Sequence, residues 1–146
     1  MGLTPKVIGA FLLLIGVGQV LFFFLLSRKE GWEKRPGFFF TWEAVALFGI
    51  LTIASGYQPF LWGAAFFLFG CFAGIAYSGS ILLSVKDVQT AGRYAGFDET
   101  TIGLAVCLGP FLGGIAGKFF GVRAPYFVSA VALGSVMAVQ RWLLRE

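Results

Sequence analysis

The sequence predicts an all-α, polytopic membrane protein with five transmembrane helices. Three observations support this prediction: an apolar composition, five apolar runs long enough to cross a bilayer, and charges concentrated between those runs. Hydrophobic residues make up 58% of the 146 positions, whereas charged residues make up only 12%. The chain has 18 Phe and 21 Gly, which suit lipid-facing surfaces and close contacts between helices. We therefore expect residues 1–146 to form a single transmembrane domain in a cell membrane.

The apolar runs give approximate bounds for the helices. We expect them at about 7–27, 38–55, 60–85, 100–121 and 124–142, with a tight turn over 56–59. The first run, Val7 to Ser27, has 21 residues, which as a helix cover roughly 30 Å, the thickness of the hydrocarbon layer. A signal peptide is the alternative, but the run is longer than a typical signal core and no small-residue cleavage pattern follows it.

One carboxylate lies inside the second apolar run. Glu43 is expected roughly 8 Å from the start of that helix. It is a candidate ionisable site, for a proton or a cation, because acids within a span are costly and often functional. The other interpretation is a side chain that reaches the headgroup region or pairs with a basic residue of the preceding loop. We favour the second interpretation.

The third apolar run changes character along its length. Its first half is aromatic, and its second half carries Gly70 and Gly74, whose spacing predicts a close contact with another helix. The segment from Tyr77 to Ser80 then places three hydroxyl groups at membrane depth. Hydroxyls at this depth need a partner, which is another helix, a ligand or water. Interhelical bonding and a ligand site both stay open here.

The fourth run has the most distinctive pattern. After a polar loop over 86–99, Asp98 and Glu99 are expected to begin the helix, because carboxylates stabilise a helix N-terminus. The glycines at positions 109, 113 and 117 share one helix face, which predicts close packing against a neighbour. Pro110 predicts a bend in the middle of that face. We expect the other helices to pack against this one.

Basic residues predict the orientation. Loops 28–37 and 86–99 and the C-terminus hold eight Lys and Arg residues, against three on the opposite side. The excess predicts that these loops and the C-terminus are cytoplasmic. The N-terminus is then outside, and five spans with an outer start are what a piece of a longer polytopic protein would look like.

Composition also argues against several functions. The chain has no His, which removes the usual acid-base and metal-ligating side chain, and Cys71 and Cys107 are isolated within apolar runs. We therefore expect no catalytic residues, no metal and no cofactor, and we do not expect an enzyme. The basic residues lie at the ends of apolar runs, so the expected partner is the lipid bilayer and not nucleic acid.

The run GRYAGFDETTIGLAVCLGPFLGGIAGKFFGVRAPYFVSAVAL, residues 92–133, resembles the paired helices near the end of either half of a major facilitator superfamily transporter. The family pattern GxxxGPxxGG is matched at Gly109, Pro110, Gly113 and Gly114, with Ala105 in place of the leading glycine. The opening MGLTPKVIG also resembles the short outer connection before the second helix of a half. Helix lengths and loop charges follow the family's order through most of the chain.

A complete member of this family has two six-helix halves, so the resemblance implies five of twelve helices and a missing half as partner. The inner-loop pattern G-x-L-x-D-R-x-G-R-R is degenerate here, with Arg28 in place of the Asp and Lys29 in place of the Arg. The pair Trp32 and Glu33 stands where two basic residues are expected. This favours helices eight to twelve over helices two to six, and so an MFS half-bundle-like arrangement.

The resemblance further implies a secondary active transporter that moves a small solute by alternating access, with its path between the two halves. The first, third and fourth helices would border the path, and the second and fifth would face lipid. The implied path candidates are Gln19, Tyr77, Ser78, Ser80 and Thr101, and the implied packing and bending element is Gly109, Pro110, Gly113, Gly114 and Gly117. The alternative is a small non-transporting membrane subunit or assembly factor, which would form a defined oligomer alone. A transporter fragment would instead expose a glycine-rich face.

Overall fold

A computed structural model describes residues 4–56, 58–85 and 91–144, and every regular element in this part of the chain is helical. The helices are α1 (Pro5–Ser27), α2 (Pro36–Ser55), α3 (Pro59–Ser84), α4 (Ala91–Phe120) and α5 (Ala124–Leu143). A short 3-10 helix, Trp32–Lys34, lies between α1 and α2. All five α-helices are long and apolar enough to cross a membrane, which is compatible with a multi-pass membrane protein.

Proline sets the start of four helices. Pro5, Pro36, Pro59 and Pro125 each occupy one of the first two positions of a helix, where the missing N–H leaves no hydrogen bond unmade. These starts lie within two residues of the predicted ones. Parts of three predicted segments lie outside the described residues: Tyr57 in the turn over 56–59, residues 86–90 in the polar loop, and Arg145 and Glu146 at the C-terminus.

The start of α4 differs from the prediction. The helix begins at Ala91, so the segment 91–99, expected as loop, is helical. Asp98 and Glu99 therefore lie well inside α4 and do not cap its start. Their carboxylates instead accept hydrogen bonds from α3, as described below.

The helix at the centre of the bundle is α3, and the expectation that the other helices pack against the fourth is wrong. The α3 helix packs against α1, α2 and α4, whereas the main contacts of α4 among the described residues are with α5 and α3. Eight residues of α3 are buried: Trp62, Ala65, Gly70, Cys71, Gly74, Ile75, Ser78 and Gly79. In contrast, Ala116 is the one buried residue among those described in α4.

Glycines allow α1 and α3 to approach closely. A Cβ atom built on Gly70 would lie 2.2 Å from the carbonyl oxygen of Ile15, and one on Gly74 would lie 2.7 Å from that of Gln19. On α1, a Cβ atom at Gly18 would lie 2.5 Å from the carbonyl oxygen of Phe67. No side chain fits at such distances, so the two backbones are in direct contact. The predicted contact at Gly70 and Gly74 is confirmed.

The second helix lies between α3 and α5. At one end of the bundle, Leu26, Trp32 and Ile75 form a buried cluster that joins α1, the 3-10 helix and α3, and Phe38, Phe39 and Trp42 of α2 pack against it. At the other end, Ile53 packs with Trp62 and Ala65. These two clusters fix α2 against α3 at both ends, and they leave most of α4 outside the core.

Candidate functional site

Two hydroxyl groups of α3 are paired with two carboxylates of α4. The Tyr77 hydroxyl donates a hydrogen bond of 2.9 Å to Oε1 of Glu99, and the Ser80 hydroxyl donates to the carboxylate of Asp98. Tyr77 lies seven residues before the end of α3, roughly 10 Å along the helix. The structure therefore places two predicted path residues in one polar cluster, which we call the α3–α4 cluster: Tyr77, Ser80, Asp98 and Glu99.

Two other path candidates lie outside this cluster. Ser78 is buried, and its hydroxyl donates a bond of 2.7 Å to the carbonyl oxygen of Gly74 in its own helix. Thr101 is exposed, and its hydroxyl donates a bond of 2.9 Å to the carbonyl oxygen of Phe97, also in its own helix. Both hydroxyls are satisfied by their own helices, as is common for Ser and Thr in transmembrane helices.

Gln19 lies on α1 close to the α3–α4 cluster. Its backbone carbonyl is the atom that a Cβ at Gly74 would meet, and Gly74 is three residues before Tyr77. One turn further along α1, the ring of Phe23 packs edge-on to the ring of Tyr77, with centroids 5.7 Å apart. Gln19 is half-buried and lies about one helical turn from Tyr77 along this interface. The structure thus brings Gln19, Tyr77 and Ser80 into one region, on α1 and α3.

Glu43 is buried inside the bundle. Only 5% of its surface is exposed, and its Oε2 atom has no hydrogen-bond partner in the described part of the chain. Phe39, one turn earlier on α2, would be met by a Cβ at Gly79, so this face of α2 points to α3. Neither a headgroup position nor an ion pair with a loop base fits this burial, and the favoured sequence interpretation is wrong. A role as an ionisable site stays a prediction.

The glycines of α4 make few contacts with the other described helices. Around Cβ atoms built on Gly109 and Gly114, no described atom outside the adjacent backbone of α4 lies within 4 Å. Cβ atoms on Gly113 and Gly117 would meet only the ring of Pro125, at 3.7 and 3.6 Å, which is ordinary contact.

The helix runs through Pro110 without interruption, and Pro110 is exposed. Among the described residues, Pro125 is therefore the one contact that covers this face of α4, and the packing and bending roles of its glycines and proline stay predictions.

The described residues form no candidate metal site. Nowhere in residues 4–56, 58–85 and 91–144 do three or more acidic, Cys or His side chains group as metal ligands. Cys71 is buried in α3 and Cys107 is exposed on α4, and both are free thiols. The polar chemistry that the structure offers consists of hydroxyls and carboxylates that can exchange hydrogen bonds.

Sequence reasoning missed Asp98 and Glu99 as partners of Tyr77 and Ser80. The segment around them carries two glycines and three charges, which favoured a loop. A signal was present, because two acids on the next helix are natural acceptors for hydroxyls that need a partner at membrane depth.

Comparisons with protein-family models, with curated protein sequences and with solved structures found no match to this chain. The resemblance to the major facilitator superfamily therefore stays an expectation from the sequence.

Proposed function

We propose that the chain is a fragment or half of a secondary active transporter of the major facilitator type, which moves a small solute by alternating access. The observation that carries the proposal is the exposed surface of α4, in which Ala116 is the one buried residue among those described. On this surface, Cβ atoms built on Gly109 and Gly114 would have no contact within 4 Å outside their own helix in the described part of the chain, although helices in lipid associate through such small residues. A further helical bundle against this surface would complete the assembly.

The placement of polar groups supports the same proposal. Tyr77 and Ser80 on α3, Asp98 and Glu99 on α4, and Gln19 on α1 all lie on the three helices that the resemblance assigns to the path. Polar groups within spanning helices commonly mark substrate or ion pathways. The α2 helix, which the resemblance assigns to the periphery, packs between α3 and α5 and has six buried residues, so this part of the resemblance gains no support.

The proposal predicts which residues water reaches. Val20 and Gln19 are neighbours on α1, and Val20 is 68% exposed. Cysteines placed at each position, in a Cys107→Ser background that removes the exposed native thiol, form a matched pair. In native membranes, a water-soluble thiol reagent should modify Gln19→Cys and spare Val20→Cys, because the first would line an aqueous path and the second would face lipid. Protection of Gln19→Cys under every condition would reject the path.

The second candidate is a small non-transporting membrane subunit or assembly factor. The same exposed α4 surface favours it if copies of this chain cover the surface for one another. Two observations distinguish the candidates. If the purified chain alone has the mass of a single defined oligomer, the subunit is favoured. If the reading frame encodes about seven further apolar helices before Met1, the transporter is favoured.

A further inference from the structure

A groove of about 980 Å³ opens at one end of the bundle, where α1 ends and α3 ends. It lies between the last turns of α1, the connection that contains the 3-10 helix, and the last turns of α3. Its volume is at the upper end of the range of about 300–1,000 Å³ that is typical of small-molecule sites. The groove shares none of its lining with the α3–α4 cluster described above.

The inner part of the groove is apolar. Leu26, Trp32 and Ser78, all buried, line it together with the more exposed side chains of Phe23, Ile81 and Leu82. Ile81 and Leu82 are 37% and 44% exposed, so these side chains are available to an apolar ligand. Phe23 and Ser78 lie four and six residues from the ends of their helices, roughly 6–9 Å along the axis.

The outer part of the groove is charged. Lys29 and Lys34 line it together with Glu30 and Glu33, and no described carboxylate lies within ion-pairing distance of either lysine. The surrounding segment, Arg28 to Arg35, has four basic and two acidic side chains, so it is basic overall. Within the lining the two lysines balance the two glutamates, and Arg28 and Arg35 beside the groove make its mouth basic overall, which favours binding of an anion.

We propose that this groove binds an anionic phospholipid. The phosphate would lie at Lys29 and Lys34, and an acyl chain would lie along Ile81 and Leu82. The charged groups of the groove are at the helix ends and its apolar groups are deeper. A phospholipid has the same arrangement, with its charged headgroup at the membrane surface and its acyl chains in the interior. Basic pockets between transmembrane helices near the membrane surface have the chemistry to bind such headgroups. The inference requires that the helices span a bilayer, and it does not depend on transport.

Native mass spectrometry of the detergent-purified, delipidated full chain tests the proposal. Phosphatidylglycerol and phosphatidylcholine of identical acyl chains would be titrated separately, and the bound fractions compared. We expect phosphatidylglycerol to bind more tightly, by about fivefold for each lysine that contacts the headgroup. The Lys29→Gln/Lys34→Gln variant should lose this preference. The Lys6→Gln/Lys118→Gln variant, which changes the net charge equally at exposed sites elsewhere, should keep it.

A second pair of variants tests the apolar part. Leu82→Gln should weaken binding of both lipids, whereas Leu112→Gln should not, although Leu112 on α4 is similarly exposed, at 54% against 44%. Glycerol phosphate at the concentration of the lipid should not displace phosphatidylglycerol, because it lacks acyl chains. Equal affinity for the two lipids, equal losses in the two lysine variants, or displacement by glycerol phosphate would each overturn the proposal.

Discussion

At the scale of single residues, the spacing of glycines does not determine what they pack against. Gly70 and Gly109 have similar sequence surroundings, each within an apolar run and four residues before another glycine. The backbone of α1 lies against Gly70, whereas no described atom lies within 4 Å of a Cβ at Gly109. Spacing therefore predicts a surface of small residues, but it does not predict which helix, or which molecule, covers that surface.

Replacement of Gly70 by Ala should destabilise the bundle. The added methyl would lie 2.2 Å from the carbonyl oxygen of Ile15, so α1 and α3 must move apart. We expect a loss of about 1–3 kcal/mol in the free energy of unfolding, measured by thermal unfolding in detergent. Gly16→Ala is the control, because a Cβ there meets no described atom within 4 Å, and it should unfold at or slightly above the wild-type temperature. Equal unfolding of the two variants would refute the close contact.

Glu43 is expected to reduce the stability of the chain. A buried carboxylate oxygen without a hydrogen bond costs about 1–3 kcal/mol, so Glu43→Met, of similar length and without polar oxygens, should raise the unfolding temperature. Glu30→Met, at an exposed loop position, is the control and should have little effect. A stabilised variant would mean that Glu43 is kept for a reason other than packing, as expected of an ionisable site. A destabilised variant would show that the carboxylate has a structural partner.

At the scale of elements, run length and proline predict helices well, and polar segments predict them poorly. The bounds of α1, α2, α3 and α5 follow from apolar runs that end at charges, prolines or glycines. The first nine residues of α4 were expected as loop, because Gly92, Gly96 and the nearby charges are poor markers of a helix. At the end of this segment Asp98 and Glu99 accept hydrogen bonds from α3, a tertiary contact that local sequence does not reveal.

The α3–α4 cluster should couple Tyr77 to Glu99. Tyr77→Phe and Glu99→Ala each remove the 2.9 Å hydrogen bond, so their effects on stability should be less than additive in the double variant. We expect a coupling energy of about 0.6 kcal/mol, and at most about 1.7 kcal/mol, by thermal unfolding in detergent. The control cycle pairs Thr101→Val with Tyr77→Phe, because the Thr101 hydroxyl bonds its own helix, and it should be additive. Additivity in the test cycle would mean that the bond does not form.

At the scale of the whole molecule, the sequence predicts the number of helices but not their arrangement. The helices are apolar on nearly all sides, so no single face of any one of them is marked as internal. The central position of α3 depends on backbone contacts at Gly18, Gly70 and Gly74, and only the Gly70 and Gly74 pair was identified in advance. For the same reason, the sequence predicts only part of the candidate site. The hydroxyls of Tyr77 and Ser80 were identified from the sequence, but their acceptors on α4 depend on which helix is adjacent.

The account as a whole requires that the chain crosses a bilayer five times, so that the two ends of each helix lie on opposite sides of the membrane. Cysteine labelling in intact cells tests this most directly, with single cysteines at Lys34, Gln58 and Leu144 in the Cys107→Ser background. These three exposed positions lie before α2, after α2 and after α5. We predict that a membrane-impermeant thiol reagent modifies Gln58→Cys in intact cells and modifies Lys34→Cys and Leu144→Cys only after the membrane is opened. Labelling of Lys34→Cys and Gln58→Cys from the same side would contradict the five-span arrangement.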